Sequence, residues 1–132
     1  SQFGNNFMKT MLRLGKEREN LSVVNDQIGT PTNAVDLAEV LLFIVENQKS
    51  KIKSFGIYNF SNEGECSWYD FAKAIFKATG EIDTVNLAKT EHYATFAKRP
   101  AYSVLNCNKL KDTLGITYRN WEDSLKQIIN SK

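Results

Sequence analysis

Two polar stretches of the 132-residue chain carry the side chains best suited to binding a ligand. The first, NDQIGTPT at 25–32, offers the amide of Gln27 and the hydroxyls of Thr30 and Thr32, which can both donate and accept hydrogen bonds. The second, AKRPAYS at 97–103, places Arg99 before a proline that keeps the chain extended. Because a guanidinium can bind a diphosphate through two parallel hydrogen bonds, this pattern indicates a site for a polar, anionic ligand.

Each of these residues also has a purely structural explanation, which the sequence leaves open. Thr32 can cap the helix that follows it, Gly29 can serve a turn, and Arg99 can form a surface ion pair. The asparagine pair of GNNF has the same two explanations: Asn5 can contact a ligand, or Asn5 or Asn6 can cap a helix.

Composition excludes several other classes of function. The chain has 17 basic and 15 acidic residues, and this net charge of +2 is too small to imply binding to nucleic acid. The single histidine, His92, and two isolated cysteines, Cys66 and Cys107, leave no zinc-site spacing and no Ser-His-Asp triad, so we expect no metal site and reduced cysteines. No apolar run reaches the length of a membrane span and no export signal is visible; the sequence therefore predicts a cytoplasmic protein without membrane contact.

Helices and strands alternate around the two polar stretches. Apolar spacing and capping residues predict helices over roughly 6–19, from about Thr32 to Val45, from Ser67 to a stop at Gly80, from 108 to Gly115, and from Asn120 onward. The short runs LSVVN, GIYNFS and SVLN are typical of strands, and TVNLA is a possible fourth strand. This order predicts an α/β fold with right-handed parallel connections.

Four segments together resemble one enzyme family. They are GNNFMKTMLRLGKERENLSVVNDQIGTPTNAVDLAEV, GIYNFSNEGECSWYDFAKAIF, AKRPAYSVLNCNKLKDTLGI and the tryptophan of NWEDSLKQII. In this order and spacing they closely resemble the dTDP-4-dehydrorhamnose reductases, which are extended short-chain dehydrogenase/reductases. The resemblance covers essentially the whole chain. It implies reduction of dTDP-4-dehydro-L-rhamnose to dTDP-L-rhamnose with NADPH or NADH.

The resemblance also implies that residues 1–132 are only the C-terminal, substrate-binding part of such an enzyme. The family's glycine-rich cofactor loop and Tyr-x-x-x-Lys pair lie in an N-terminal half that is absent here. YDFAK, with Tyr69 and Lys73, matches the pair formally, but Tyr69 begins a helix without a cofactor loop. We therefore predict no catalytic or cofactor-binding residue in the chain and no cofactor bound to it alone. The predicted substrate contacts are Gln27, Thr30, Thr32, Arg99 and Asn5.

The implied fold is a partial Rossmann-like set of parallel strands with flanking helices, plus a small C-terminal α/β subdomain that binds the substrate. The implied partners are a dTDP-sugar and the absent N-terminal catalytic half. A homodimer is also expected, because LSVVN and GIYNF would leave strand edges and apolar surface uncovered. The alternative hypothesis is a non-catalytic module of the same fold that binds a nucleotide-sugar or another protein.

Overall fold

A computed structural model describes residues 4–47, 55–90, 97–115 and 117–131. The helices are α1 (Phe7–Glu17), α2 (Ala34–Glu46), α3 (Trp68–Thr79), α4 (Asn108–Leu114) and α5 (Trp121–Asn130). The strands are β1 (Asn20–Val24), β2 (Ile28–Gly29), β3 (Cys66–Ser67) and β4 (Asn86–Thr90). The fold is α/β, as the sequence predicts.

The main core lies between a parallel strand pair and three helices. Strand β1 pairs with β4 in parallel, with Asn20 opposite Asn86 and Val24 opposite Thr90. Helix α3 packs against β1, α1 and α5. Gly15 of α1 allows the close approach to α3, because a Cβ there would lie 2.6 Å from a ring carbon of Phe76. The core side chains are Met11, Leu21, Val23, Ala72, Ile75, Phe76, Val85, Trp121 and Leu125.

A second, smaller core joins α2 to α4. Its buried members are Val40, Cys107, Leu110, Leu114 and Tyr118, with Phe43, Ile44, Tyr58 and Phe60 packed around them. Both cysteines of the chain are free, as predicted; one belongs to this core, and Cys66 is half-buried beside the main core.

Local capping chemistry explains where the helices begin and end. Ser67 and Asp70 form the predicted capping box at the start of α3, and Gly80 ends that helix in the left-handed conformation. Gly115 ends α4 in the same way, and the side chain of Asn120 caps α5. These predictions are confirmed. Each depends on residues no more than four positions apart in the chain.

The strand predictions are only partly correct. LSVVN forms most of β1, but its partner is the possible strand TVNLA, which contributes to β4. GIYNFS is not a strand among the described residues, and SVLN contributes none either; the segment beside it makes a single parallel bridge, between Tyr102 and Ile28. A strand forms only where another segment pairs with it, and β-propensity alone does not supply that segment.

Helix α2 leaves its most apolar face uncovered. The regular apolar spacing correctly predicts the helix, yet Leu41, Leu42 and Val45 are 53%, 63% and 65% exposed. Phe55 and Ile57 are also fully or largely exposed. In the described part of the chain, no helix combines the length and apolarity needed to cross a membrane.

Candidate functional site

One large cleft, of about 1340 Å³, opens where the N-terminal ends of α1, α2 and α3 meet the two polar stretches. Its walls come from residues 5–9, 27–35, 66–68, 99–100 and parts of α5. The 27–35 wall follows the carboxyl end of β1, and Arg99 lies beyond the carboxyl end of β4. This is the edge of a parallel sheet at which ligands usually bind.

All five residues predicted to contact a substrate line this cleft. Gln27 and Thr30 are half-buried, whereas Asn5, Thr32 and Arg99 are exposed. The structure thus brings together side chains that lie far apart in the sequence. Their contact with a ligand stays a prediction.

Backbone pairing explains why Gln27 and Arg99 share the cleft. The amide of Ile28 donates to the carbonyl of Ala101 at 2.8 Å, and the amide of Ser103 donates to the carbonyl of Ile28 at 2.9 Å. Because this bridge is parallel, the residues before Ile28 lie beside the residues before Tyr102. The two polar stretches are therefore joined side by side.

The two threonines stabilise the 27–35 wall through the backbone. The Thr30 hydroxyl donates to the carbonyl of Gly64 at 2.8 Å, and the Thr32 hydroxyl donates to the carbonyl of Thr30 at 3.2 Å. Each hydroxyl oxygen can still accept a hydrogen bond from a ligand, but its proton is already donated to a backbone carbonyl. The suggestion that Thr32 caps α2 is wrong: Asn33 is the cap, and its side chain accepts from the amide of Val35.

Gly29 and Asn6 have structural roles at the edge of the cleft. A Cβ at Gly29 would lie 3.1 Å from Oγ of Ser103, so glycine serves the close approach of the 97–103 stretch. Its φ is not positive and it lies in strand β2, so the alternative in which Gly29 only serves a turn does not apply. Asn6 caps α1 by accepting from the amide of Lys9 at 2.9 Å, which leaves Asn5 free of that task.

The charged side chains that line the cleft are all cationic. Lys9 and Arg99 are both on its wall, and no aspartate or glutamate is among the described residues that line it. A concave surface with one sign of charge attracts a ligand of the opposite sign. Lys9 was not among the predicted site residues, because its position on α1 resembles that of any exposed helical lysine.

Aromatic and apolar side chains also line the cleft. Phe7, Trp68 and Phe71 line it, and the rings of Phe7 and Trp68 lie 4.7 Å apart. The two tryptophans differ in burial. Trp121 is buried in the main core and also borders the cleft, whereas Trp68 is only partly buried and adds a flat apolar surface.

Cys66 lines the cleft, and its thiol is not activated. Burial, followed by the charges of Asp70 and Glu122, raises the pKa of the Cys66 thiol to about 12, so the thiol stays protonated at neutral pH. Tyr69 of YDFAK does not line the cleft, and its ring lies 5.0 Å from Nζ of Lys89. His92 lies outside the described residues.

The described residues also contain no group of three or more His, Cys, Asp or Glu side chains that could hold a metal ion. No GxGxxG sequence for a dinucleotide occurs in the chain. The cationic side chains of Lys9 and Arg99 on the wall suit the cleft to an anionic ligand.

Comparison with known proteins identifies the family. The model of the RmlD substrate binding domain matches residues 1–132. The chain belongs to this family. A dTDP-4-dehydrorhamnose reductase from Aggregatibacter actinomycetemcomitans is 46% identical over 134 residues, which cover 96% of this chain and 46% of that relative.

Solved structures of the RmlD family have the same fold. A dTDP-4-dehydrorhamnose reductase from Clostridium acetobutylicum superposes with a TM-score of 0.84 at 45% identity, over 97% of this chain and 44% of that one. The Bacillus anthracis enzyme, solved in complex with NADP, gives a TM-score of 0.87 at 39% identity, over 98% of this chain and 44% of that one. The chain thus spans less than half the length of the relatives that it matches.

Proposed function

We propose that residues 1–132 bind the substrate in a dTDP-4-dehydrorhamnose reductase, which reduces dTDP-4-dehydro-L-rhamnose to dTDP-L-rhamnose with NADPH or NADH. The cleft carries this proposal. Its charged lining groups, Lys9 and Arg99, are both cationic, and it contains every residue that the sequence predicts to contact a sugar nucleotide. Membership of the RmlD substrate-binding family supports the choice of this ligand over other anions.

Within the cleft, each group has a distinct task in binding. Arg99 holds the diphosphate, because a guanidinium matches two phosphate oxygens at once. Gln27 bonds a hydroxyl of the sugar, and Asn5 contacts the same ligand from the start of α1. Together these contacts hold the C4 carbonyl of the sugar in a fixed position, which lowers the entropic cost of the reaction.

The reduction itself requires groups that this chain does not supply. NADPH or NADH provides the hydride, and no glycine-rich loop that could hold a dinucleotide is present in the sequence. We assign the cofactor, the catalytic tyrosine and the catalytic lysine to an N-terminal half of the enzyme. The chain alone is therefore inactive.

That N-terminal half covers the apolar face of α2. Leu41, Leu42 and Val45 are exposed together with Phe55 and Ile57, and a patch of this kind marks a contact with another protein surface. When the half is absent, two copies of the chain pair through the same patch. Location in the cytoplasm stays a prediction from the sequence.

The proposal is tested by joining the chain to the part of the Aggregatibacter reductase that it does not match. We expect the joined protein to oxidise NADPH when dTDP-4-dehydro-L-rhamnose is added, and the chain alone to show no turnover. Tyr69→Phe is the matched control, and it should leave the joined protein fully active.

Three results would contradict the proposal. Turnover by the chain alone that survives Tyr69→Phe would show that no half is missing. Turnover that Tyr69→Phe abolishes would show that YDFAK is catalytic. A joined protein that binds dTDP but never oxidises NADPH, while the unmodified Aggregatibacter enzyme does, would favour the non-catalytic binding module.

A further inference from the structure

We propose that Asp36 is a positioning residue for the cleft: its buried carboxylate holds the 30–35 wall where the sugar nucleotide binds. The inference rests on the proposed function, since it assumes that the cleft binds this ligand. Asp36 is 6% exposed and does not itself line the cleft. It therefore acts through other residues.

Three side chains from outside α2 donate to the Asp36 carboxylate. Asn62 donates from Nδ2 to Oδ2 at 2.6 Å, and Ser124 of α5 donates from Oγ to the same oxygen at 2.5 Å. Arg119 donates from its guanidinium to Oδ1 at 2.9 Å. One carboxylate thus links α2 to the segment before β3, to Arg119 just before α5 and to Ser124 in the first turn of α5.

The same partners reach the cleft wall through Asn33. The amide of Asn33 donates to Oδ1 of Asn62 at 2.8 Å, and its side-chain Nδ2 donates to Oγ of Ser124 at 3.0 Å. Asn33 and Ser124 both line the cleft. The position of Asn33, and of the Thr30–Thr32 stretch before it, therefore depends on the two side chains that Asp36 orients.

A comparison of two helix starts separates this role from ordinary capping. Asp70 occupies the third position of α3 and accepts from the amide of Ser67, its own cap residue. Asp36 occupies the same position in α2, but the amide of its cap residue, Asn33, donates to Asn62 instead. The Asp36 carboxylate therefore does not bond the cap residue of its own helix. It accepts hydrogen bonds from side chains of other segments instead.

Asp36 acts on its neighbours as an acceptor. Asn62 and Ser124 both donate to the same oxygen, Oδ2, so an asparagine could keep both bonds by turning its own oxygen toward them, whereas alanine removes the acceptor altogether. Arg119 is 39% exposed in its side chain, so water can solvate it when the ion pair is removed. We therefore expect Asp36→Ala to displace the wall without unfolding the chain.

The experiment uses Asp36→Ala in the full 132-residue chain, with dTDP as the probe. Asp123→Ala is the matched control, because it makes the same change on α5, next to Ser124, at an exposed carboxylate paired with Lys126. Calorimetry measures the affinity for dTDP. Amide hydrogen exchange is followed at Asn33, with the amide of Asn25, which donates to Thr90, as the internal reference.

We expect Asp36→Ala to weaken dTDP binding about tenfold, the order seen when a residue acts on a site through its neighbours. Exchange should become faster at Asn33 and stay unchanged at Asn25, and Asp123→Ala should alter neither measurement. If Asp36→Ala does not fold, Ser124→Ala replaces it, because that change removes the bond to Asn33 and keeps the Asp36–Arg119 pair.

Two results would overturn the inference. Unchanged exchange at Asn33 would show that Asp36 does not hold the wall. Faster exchange with undiminished dTDP affinity would show a role in stability alone. If the unmodified chain does not bind dTDP, the proposed function fails instead, and exchange at Asn33 still decides whether Asp36 holds the wall.

Discussion

The two faces of the molecule differ in how well their apolar side chains are covered. Around α3, the helices α1 and α5 and strand β1 enclose a core in which Ala72, Ile75 and Phe76 are fully buried. Helix α2 has the most regular apolar stripe in the sequence, yet Leu42 and Val45 on it are mostly exposed. The α3 region therefore buries its apolar side chains within the described residues, whereas the α2 face is the one that the proposed function assigns to a contact outside residues 1–132.

The largest effect should be the difference between two leucine-to-alanine substitutions, one in the core around α3 and one on the exposed face of α2. Leu21→Ala removes a buried side chain of β1 and should lower the free energy of unfolding by about 2–5 kcal/mol. Leu42→Ala makes the same change on the exposed face of α2 and should alter it by no more than about 0.5 kcal/mol. Urea denaturation of the chain, at a concentration low enough to keep it monomeric, measures both values. Equal losses would show that the α2 face is already covered in the isolated chain.

A smaller effect should appear in self-association. The chain should dimerise through α2, and Leu42→Glu should weaken the dimer tenfold or more, because a charge in an apolar contact loses its hydration. Sedimentation velocity over a range of concentrations measures this change. Ala78→Glu, at an exposed position of α3, adds the same charge in the other region and should have no effect. A chain that stays monomeric at high concentration, or two variants that behave alike, would contradict the assignment of the contact.

Local signals in the sequence were enough to predict the helices and much of the cleft. Ser67, Gly80, Gly115 and Asn120 act through neighbours in the chain, so their roles follow from spacing alone. The polar stretch that contains Gln27 was also predicted from local features, because a segment that only leads into a helix does not need so many polar and conformationally special residues. The structure places it on the cleft wall.

Features that depend on distant pairing were not predicted. The partner of β1 lies 66 positions away in register, at Asn86 for Asn20, and nothing in LSVVN itself selects TVNLA over GIYNFS. Asp36 was overlooked for a similar reason: its hydrogen-bond partners lie 26 to 88 positions away in sequence. In its own segment it resembles an ordinary acidic residue in the first turn of a helix.

The most direct test of the central claim, that this cleft binds a sugar nucleotide, is a calorimetric titration of dTDP into the chain and two variants at neighbouring positions. Arg99→Ala should cost about 1.5–3 kcal/mol of binding free energy, the range for a hydrogen bond to a charged group, with little change in stability. Lys98→Ala removes an adjacent, exposed cation that does not line the cleft, and it should leave the affinity nearly unchanged. An Arg99→Ala chain that binds dTDP as tightly as the unmodified chain would contradict the claim.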